Sequence, residues 1–254
     1  MASFFPLRKD LIEHEHFKGM PAAHRLYFLL LVSEFNLKGT FYKSDLEAAV
    51  TINTSLDTIR RARRELQRLE WIEAQPGFLS ARKKPIATRY FHVKFAQVED
   101  GQFFAKIHRY AFQALLHRTR AGHMDHKELL LFCYVCYFNI KYREAGEKDF
   151  FISKRELIEL TGMTEAPAAV LRLHQHQVFG DEGIFEIVDV YHKIKILQQR
   201  IFADPEEDEH NRNQSLKHQE DIKKRVEAAK KKPLPKKKRK NKKTAAERGS
   251  KVAF

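Results

Sequence analysis

The segment from Ser55 to Ile72 constrains this chain more than any other. Wound as a helix, it places Ile59, Ala62, Leu66 and Leu69 on one stripe and Asp57, Arg60, Arg61, Arg64 and Arg68 on the opposite face. Such a helix has to bury the stripe against a partner while its arginines stay in water. What precedes it supplies the partner. Ser44 to Val50 reads as a short helix, with Leu46 and Val50 four residues apart. Thr51-Ile52-Asn53-Thr54 reads as a turn, and Ser55 is a good N-cap for the long helix that follows. The pattern predicts two helices joined by a tight turn, the second carrying a row of arginines.

The flanks extend the pattern. Pro21 opens and Gly39 closes an apolar helix, the expected asymmetry of helix ends. Gly39-Thr40-Phe41-Tyr42 is a short strand, Trp71–Gln75 looks extended, Pro76-Gly77 signals a turn, and Thr88–Phe95 alternates as a strand. The order is helix, strand, helix, turn, helix, strand, loop, strand, which is that of a winged-helix module. A second pass follows. Phe103-Phe104 parallels Phe4-Phe5, Lys127–Tyr142 is a long apolar helix, and Phe150-Phe151-Ile152 is a strand. Lys154–Leu160 is a short helix ended by Gly162, Thr164 caps a helix running to Gln175, Gly180–Gly183 is a turn and Ile184–Ile196 alternates as a strand. The expected fold class is therefore α+β and mainly helical, with two winged-helix modules in tandem over 1–98 and 99–203. A single long domain with a coincidental order is the alternative.

Charge separates the rest of the chain. The net charge is +14, and residues 216–254 hold 16 Lys or Arg against four acids, so the body is nearly balanced. Any binding face on the body is thus a local patch. Residues 204–254 are too polar to offset chain entropy by burial and are expected to be a disordered basic tail. Within it Lys236, Lys237, Lys238, Arg239, Lys240, Lys242 and Lys243 can attract any polyanion without reading sequence. Pro235–Lys240 also matches a short nuclear-import signal, a minority reading beside a cytoplasmic, nucleoid-associated protein. Met1–Pro6 has no basic start, no apolar run reaches the length of a bilayer span, and two cysteines make no disulfide framework.

Ser55, Thr58-Ile59-Arg60-Arg61-Ala62, Leu66, Leu69 and Trp71-Ile72-Glu73 resemble the recognition-helix pattern of bacterial winged-helix regulators. The tandem arrangement, length and basic tail resemble replication initiators of plasmids, phages and mobile elements. The resemblance implies sequence-specific binding of double-stranded DNA at an origin, with a winged-helix transcription regulator as the alternative. On this reading the DNA-facing residues are Asn53, Thr54, Ser55, Asp57, Thr58, Arg60, Arg61, Arg64 and Arg68. The basic loop Ser80–Pro85, with Arg82, Lys83 and Lys84, and Arg89 beyond it, would grip the phosphate backbone. The second module has only Arg172 and His174 on its third helix. That points it toward phosphates, self-association, or a replicative helicase or its loader.

Catalytic patterns are missing. No phosphate-binding GxxxxGK[ST] run occurs. His14-Glu15-His16 departs from the His-hydrophobic-His metal motif of nickases in its middle residue and has no tyrosine partner motif. His174-Gln175-His176 has no further ligands. Cys133 and Cys136 lack the second ligand pair a zinc site needs and read as buried core thiols. The expectation is a binding protein without enzymatic activity, metal or cofactor, and without a membrane partner.

Overall fold

The computed structural model describes residues 4–78, 85–143, 149–175, 185–188, 193–197 and 220–228. The chain is α+β, with helices predominating among the described residues. It opens with β1 (Phe4–Arg8), α1 (Lys9–Ile12), α2 (Glu15–Gly19) and α3 (Ala22–Lys38), followed by β2 (Phe41–Lys43) and α4 (Asp45–Thr51). Then come α5 (Leu56–Arg68), β3 (Ile72–Phe78) and β4 (Pro85–Val93). The second half runs β5 (Phe104–His108), α6 (Arg109–Arg120), α7 (His126–Arg143), β6 (Asp149–Ser153) and α8 (Lys154–Thr161). It continues with α9 (Ala166–Gln175), β7 (Phe185–Val188) and β8 (Lys193–Leu197). Residues 220–228 add a short helix. Strands β2-β4-β3 form one antiparallel three-stranded sheet and β6-β8-β7 another, so both halves use the same strand order.

Local chemistry sets these boundaries. Pro21 sits at the N-cap of α3, and Gly39 ends it with a φ of 64° that costs a glycine little. Ser44 and Ser153 cap α4 and α8 in the same way, each hydroxyl accepting from the backbone N–H three residues on, Glu47 and Glu156 respectively. Gly162 closes α8 in the left-handed region.

Several expectations are corrected. Pro76-Gly77 is not a turn but lies within β3. That strand is a sheet edge, where a missing N–H is tolerated. A Cβ on Gly77 would come within 2.8 Å of the Ala87 carbonyl oxygen, so glycine permits the close approach. The stretch 184–196 is not one strand: β7 and β8 pair antiparallel, so the chain reverses between them. α9 begins two residues after Thr164, whose hydroxyl bonds Glu165 at 3.3 Å. α6 occupies a stretch where no helix is expected from the flanking signals. The tail is not without structure throughout, since 220–228 is helical. The turn expected at Gly180–Gly183 lies outside the described residues.

The two halves share one core. α3 is buried continuously from Arg25 to Ser33 and α7 from Leu129 to Phe138, and these helices pack on each other. Enclosure on all sides explains why neither needs an amphipathic pattern. β1 and β5 pair antiparallel, with Phe4 opposite His108, Pro6 opposite Lys106 and Arg8 opposite Phe104. Sliding from Phe4 to Phe104 and from Arg8 to His108 maps this ladder onto itself, the register of two like units meeting about a local two-fold axis. Buried arginines tie the halves. Arg25 of α3 donates to the Met20 carbonyl at 2.8 Å, to the Thr161 carbonyl at the end of α8 at 2.5 Å and to the Tyr134 hydroxyl of α7 at 3.3 Å. Arg109 of α6 donates to the Ser33 hydroxyl at 2.8 Å and to Asn36 Oδ1 at 2.7 Å. Trp71 sits among Phe28, Phe95 and His14, with ring centroids 5.2, 5.3 and 5.0 Å away. Cys133 and Cys136 are free thiols buried in α7, and burial pushes both pKa values up. Among the described residues no helix is long and apolar enough to cross a membrane.

Candidate nucleic-acid interface

α5 is held by its apolar stripe. Ile59, Ala62 and Leu66 are completely buried, and Leu69 packs partly buried at the C-cap. Burying Ile59 and Leu66 alone contributes roughly 3–6 kcal/mol at ~1.5–3 kcal/mol per large aliphatic side chain. That is well above what exposed ion pairs supply, so the stripe fixes which face the helix shows. The opposite face is exposed as expected: Asp57, Arg60, Arg61, Arg64 and Arg68 all lie in solvent. Ser55 caps the helix by accepting from the Thr58 N–H at 3.1 Å, and its hydroxyl lies 2.8 Å from that of Thr58.

The arginines of α5 are not equivalent. Arg61 and Arg64 make only long bonds to backbone carbonyls one turn back, at 3.4 and 3.3 Å. Arg60 lies within 3.6 Å of Asp57 and 3.8 Å of Asp45, both loose pairs. Arg63, outside the expected set, is the brace of the site. It reaches Asp45 of α4 at 2.6 Å and the Thr88 hydroxyl of β4 at 2.5 Å, with its side chain 24% exposed and that of Asp45 14%. Glu65 meets His24 of α3 at 2.6 Å and Gln67 donates to the Ala74 carbonyl of β3 at 3.3 Å. Together these contacts set the angle between α5 and the sheet. Helix and sheet edge enclose an open groove of about 590 Å³, with Arg60, Gln67, Gln75 and Pro76 along its walls.

Other expected residues fall elsewhere. Asn53 sits at the α4–α5 turn with φ 53°. Its amide donates to the Thr119 carbonyl of α6 at 3.0 Å, so this side chain is engaged by the second half of the chain. Thr54 is half-buried beside it. Arg89 is exposed but does not join the α5 row. Along β4 the side chains alternate, and Thr88 and Tyr90 point to the helices while Arg89 points to the far side of the sheet. There its guanidinium stacks 4.6 Å from the Phe91 ring centroid and 5.7 Å from that of Tyr42, a tyrosine 60% exposed. Arg82, Lys83 and Lys84 lie outside the described residues, as do Lys236, Lys237, Lys238, Arg239, Lys240, Lys242 and Lys243.

A charge cluster centred on the buried Lys43 joins β2 to its neighbours. Lys43 lies 3.1 Å from Glu47 and 3.5 Å from Glu34. Burial works against its charge, but the two carboxylates outweigh burial and raise its pKa. Glu34 is itself shifted down, because Lys43 and Lys38 overcome its own burial. His14 caps α2 by accepting from the His16 N–H at 3.3 Å and lies against Trp71, so the His14-Glu15-His16 segment serves a helix start. Compared with family models, curated proteins and solved structures, the chain matches none.

Proposed function

We propose that the chain is a sequence-specific double-stranded DNA-binding protein built from two winged-helix modules, acting as a replication initiator or replication-associated protein of a plasmid, phage or mobile element. One observation carries the DNA-binding reading. α5 buries an apolar stripe and leaves four arginines of one face in solvent, at the second position of a helix-turn-helix and beside a three-stranded sheet. A helix so mounted can enter a major groove, where arginine makes paired hydrogen bonds to guanine. The repeated order of elements and the shared strand order support the tandem winged-helix reading. The origin-binding role rests on the resemblance to initiators and carries with it a replicative helicase or loader as partner. The test is selection of genomic and random duplex fragments by the purified full-length chain, followed by sequencing. Repeated sites in direct orientation support an initiator. A single palindrome bound by a stable dimer assigns the chain to the transcription regulators, and no enrichment over random sequence removes the specific-binding reading.

A further inference from the structure

The second half offers little to an anion from its own third helix. Arg172 of α9 is engaged by Glu128 and by Asp125 at 3.1 Å. α6 ends on a basic last turn of His117, Arg118 and Arg120, and His123 follows. That end abuts the α4–α5 turn. The Thr119 carbonyl accepts from Asn53 at 3.0 Å, and His126 Nε2 meets the Ile52 carbonyl at 2.5 Å. Over it lies the 220–228 helix, whose Ile222 and Val226 are half-buried and wall a cavity of about 370 Å³ opposite Leu30, Leu116 and Arg120.

Arg120 is 6% exposed, yet its Nε and Nη2 have no hydrogen-bond partner. Asp221 Oδ2 lies 3.5 Å from Arg120 Nη2, only a loose ion pair, and is shared with Arg225 Nε of its own helix at 3.1 Å. A buried guanidinium with unmade hydrogen bonds is costly, and such groups call for an occupant. Burial lowers the pKa of Arg120, and Asp221 offsets this only in part.

Resting on the reading of α5 as the DNA-facing helix, we propose that Arg120 is a phosphodiester-binding site for the same duplex. Asp221 on the 220–228 helix holds it as an internal oxyanion until a backbone phosphate takes its place. The guanidinium fork accepts carboxylate and phosphate alike, and the phosphate gives it the paired hydrogen bonds that Asp221 does not. Lys230, Lys231 and Lys232 follow the helix in the chain, so their attraction to the duplex favours lifting it.

The test uses the full-length chain and a fluorescent duplex carrying the selected site, titrated by anisotropy at several salt concentrations. Asp221→Asn is expected to tighten binding roughly three- to tenfold and to steepen the slope of log K against log salt by about 0.9, one added phosphate contact. Arg120→Gln in the same chain is expected to cancel both gains. Should the Arg120 variant fail to fold by thermal unfolding, the Asp221→Asn slope decides alone. Wild-type affinity and slope in Asp221→Asn overturn the proposal. So does an Asp221→Asn chain that binds inorganic phosphate without steepening the duplex slope. Arg61→Ala with Arg64→Ala, run on the same duplex, keeps the two ideas apart. If that pair loses affinity while Asp221→Asn changes nothing, the α5 reading stands and the Arg120 site falls. If the pair binds as wild type, it is the α5 reading that fails.

Discussion

Replacing Arg61 and Arg64 together by alanine separates what α5 does for the fold from what it does for DNA. Both side chains are exposed, and their only internal bonds are the long ones to the Asp57 and Arg60 carbonyls. Removing them should shift folding stability by no more than about 0.5 kcal/mol, the usual range for surface changes. Binding is another matter. An arginine that reads a guanine is worth about 1–3 kcal/mol. The pair therefore costs about 2–6 kcal/mol, or roughly 30-fold to 10⁴-fold in Kd. If they touch phosphates only, the salt slope falls by about 1.8 and random duplexes weaken as much as the selected site. Arg63→Ala supplies the contrast. It strands the Asp45 carboxylate, 14% exposed, with only the 3.8 Å contact to Arg60. Losing a hydrogen bond to a partly buried charge costs about 1–3 kcal/mol, a fall of roughly 2–12 °C in Tm for a chain of this size. Anisotropy on selected and random duplexes, beside thermal unfolding of each variant, reads all of this. Wild-type affinity in Arg61→Ala/Arg64→Ala would refute the assignment of this face to DNA. An unchanged Tm in Arg63→Ala would refute the brace.

Three further outcomes follow from particular contacts. Gly162→Ala should destabilise by about 1–3 kcal/mol, because it strains a φ of +64° and brings a Cβ within 2.7 Å of the Lys18 carbonyl oxygen; an unchanged Tm would show that α8 and α2 move apart freely. Burial lifts the Tyr134 hydroxyl to about 12 against the pull of Arg25, above the value near 10 of an unfolded tyrosine. This stability is therefore complete below pH 10 and lost as pH rises from 10 toward 12, and Tyr27 and Tyr90 shift the same way. Denaturant midpoints at pH 8, 10 and 11.5 should fall in that order, and a flat series contradicts the burial argument. Removing residues 229–254, with 12 Lys or Arg and one acid, should weaken random-duplex binding and flatten its salt dependence while site preference survives. Loss of site preference would place recognition in the tail.

Short-range signals made much of the chain legible. Pro21 and Gly39, the paired serine caps at Ser44 and Ser153, and Gly162 are choices forced by helix ends, and each lies within four residues of what it satisfies. The stripe Ile59, Ala62, Leu66 was readable because α5 is amphipathic. α6 carries a comparable signal in Phe112, Leu115, Leu116 and Thr119, all buried, but no Ser, Thr, Asp or Asn precedes it and it follows directly on a strand. α1 and α2 are too short for any period to show. The β7–β8 reversal carries no glycine or proline between 189 and 192, so alternation hid it. Long-range contacts left no local trace. Asn53 and Thr119 are 66 positions apart, and Arg25 and Thr161 are 136 apart. In the 220–228 helix only Ile222 and Val226 are large and apolar, and where they pack is decided by α3 and α6.

Those long-range contacts bear on how α5 is presented. Were the first half self-sufficient, its central helix α3 would show one polar face. Instead Leu26 to Val32 are buried all round, because α7 covers the side that β1 and α5 leave open. Arg25 finds three of its acceptors, Met20, Thr161 and Tyr134, on both sides of the seam, and without α7 and α8 it keeps only those of its own half. The α4–α5 turn is braced from across the seam as well, by Thr119 through Asn53 and by His126 through the Ile52 carbonyl. The pattern repeats at residue 99, but the core does not divide there. The orientation of the arginine face is thus a property of both halves, and a change in α6 or α7 can alter duplex binding without touching a residue of α5.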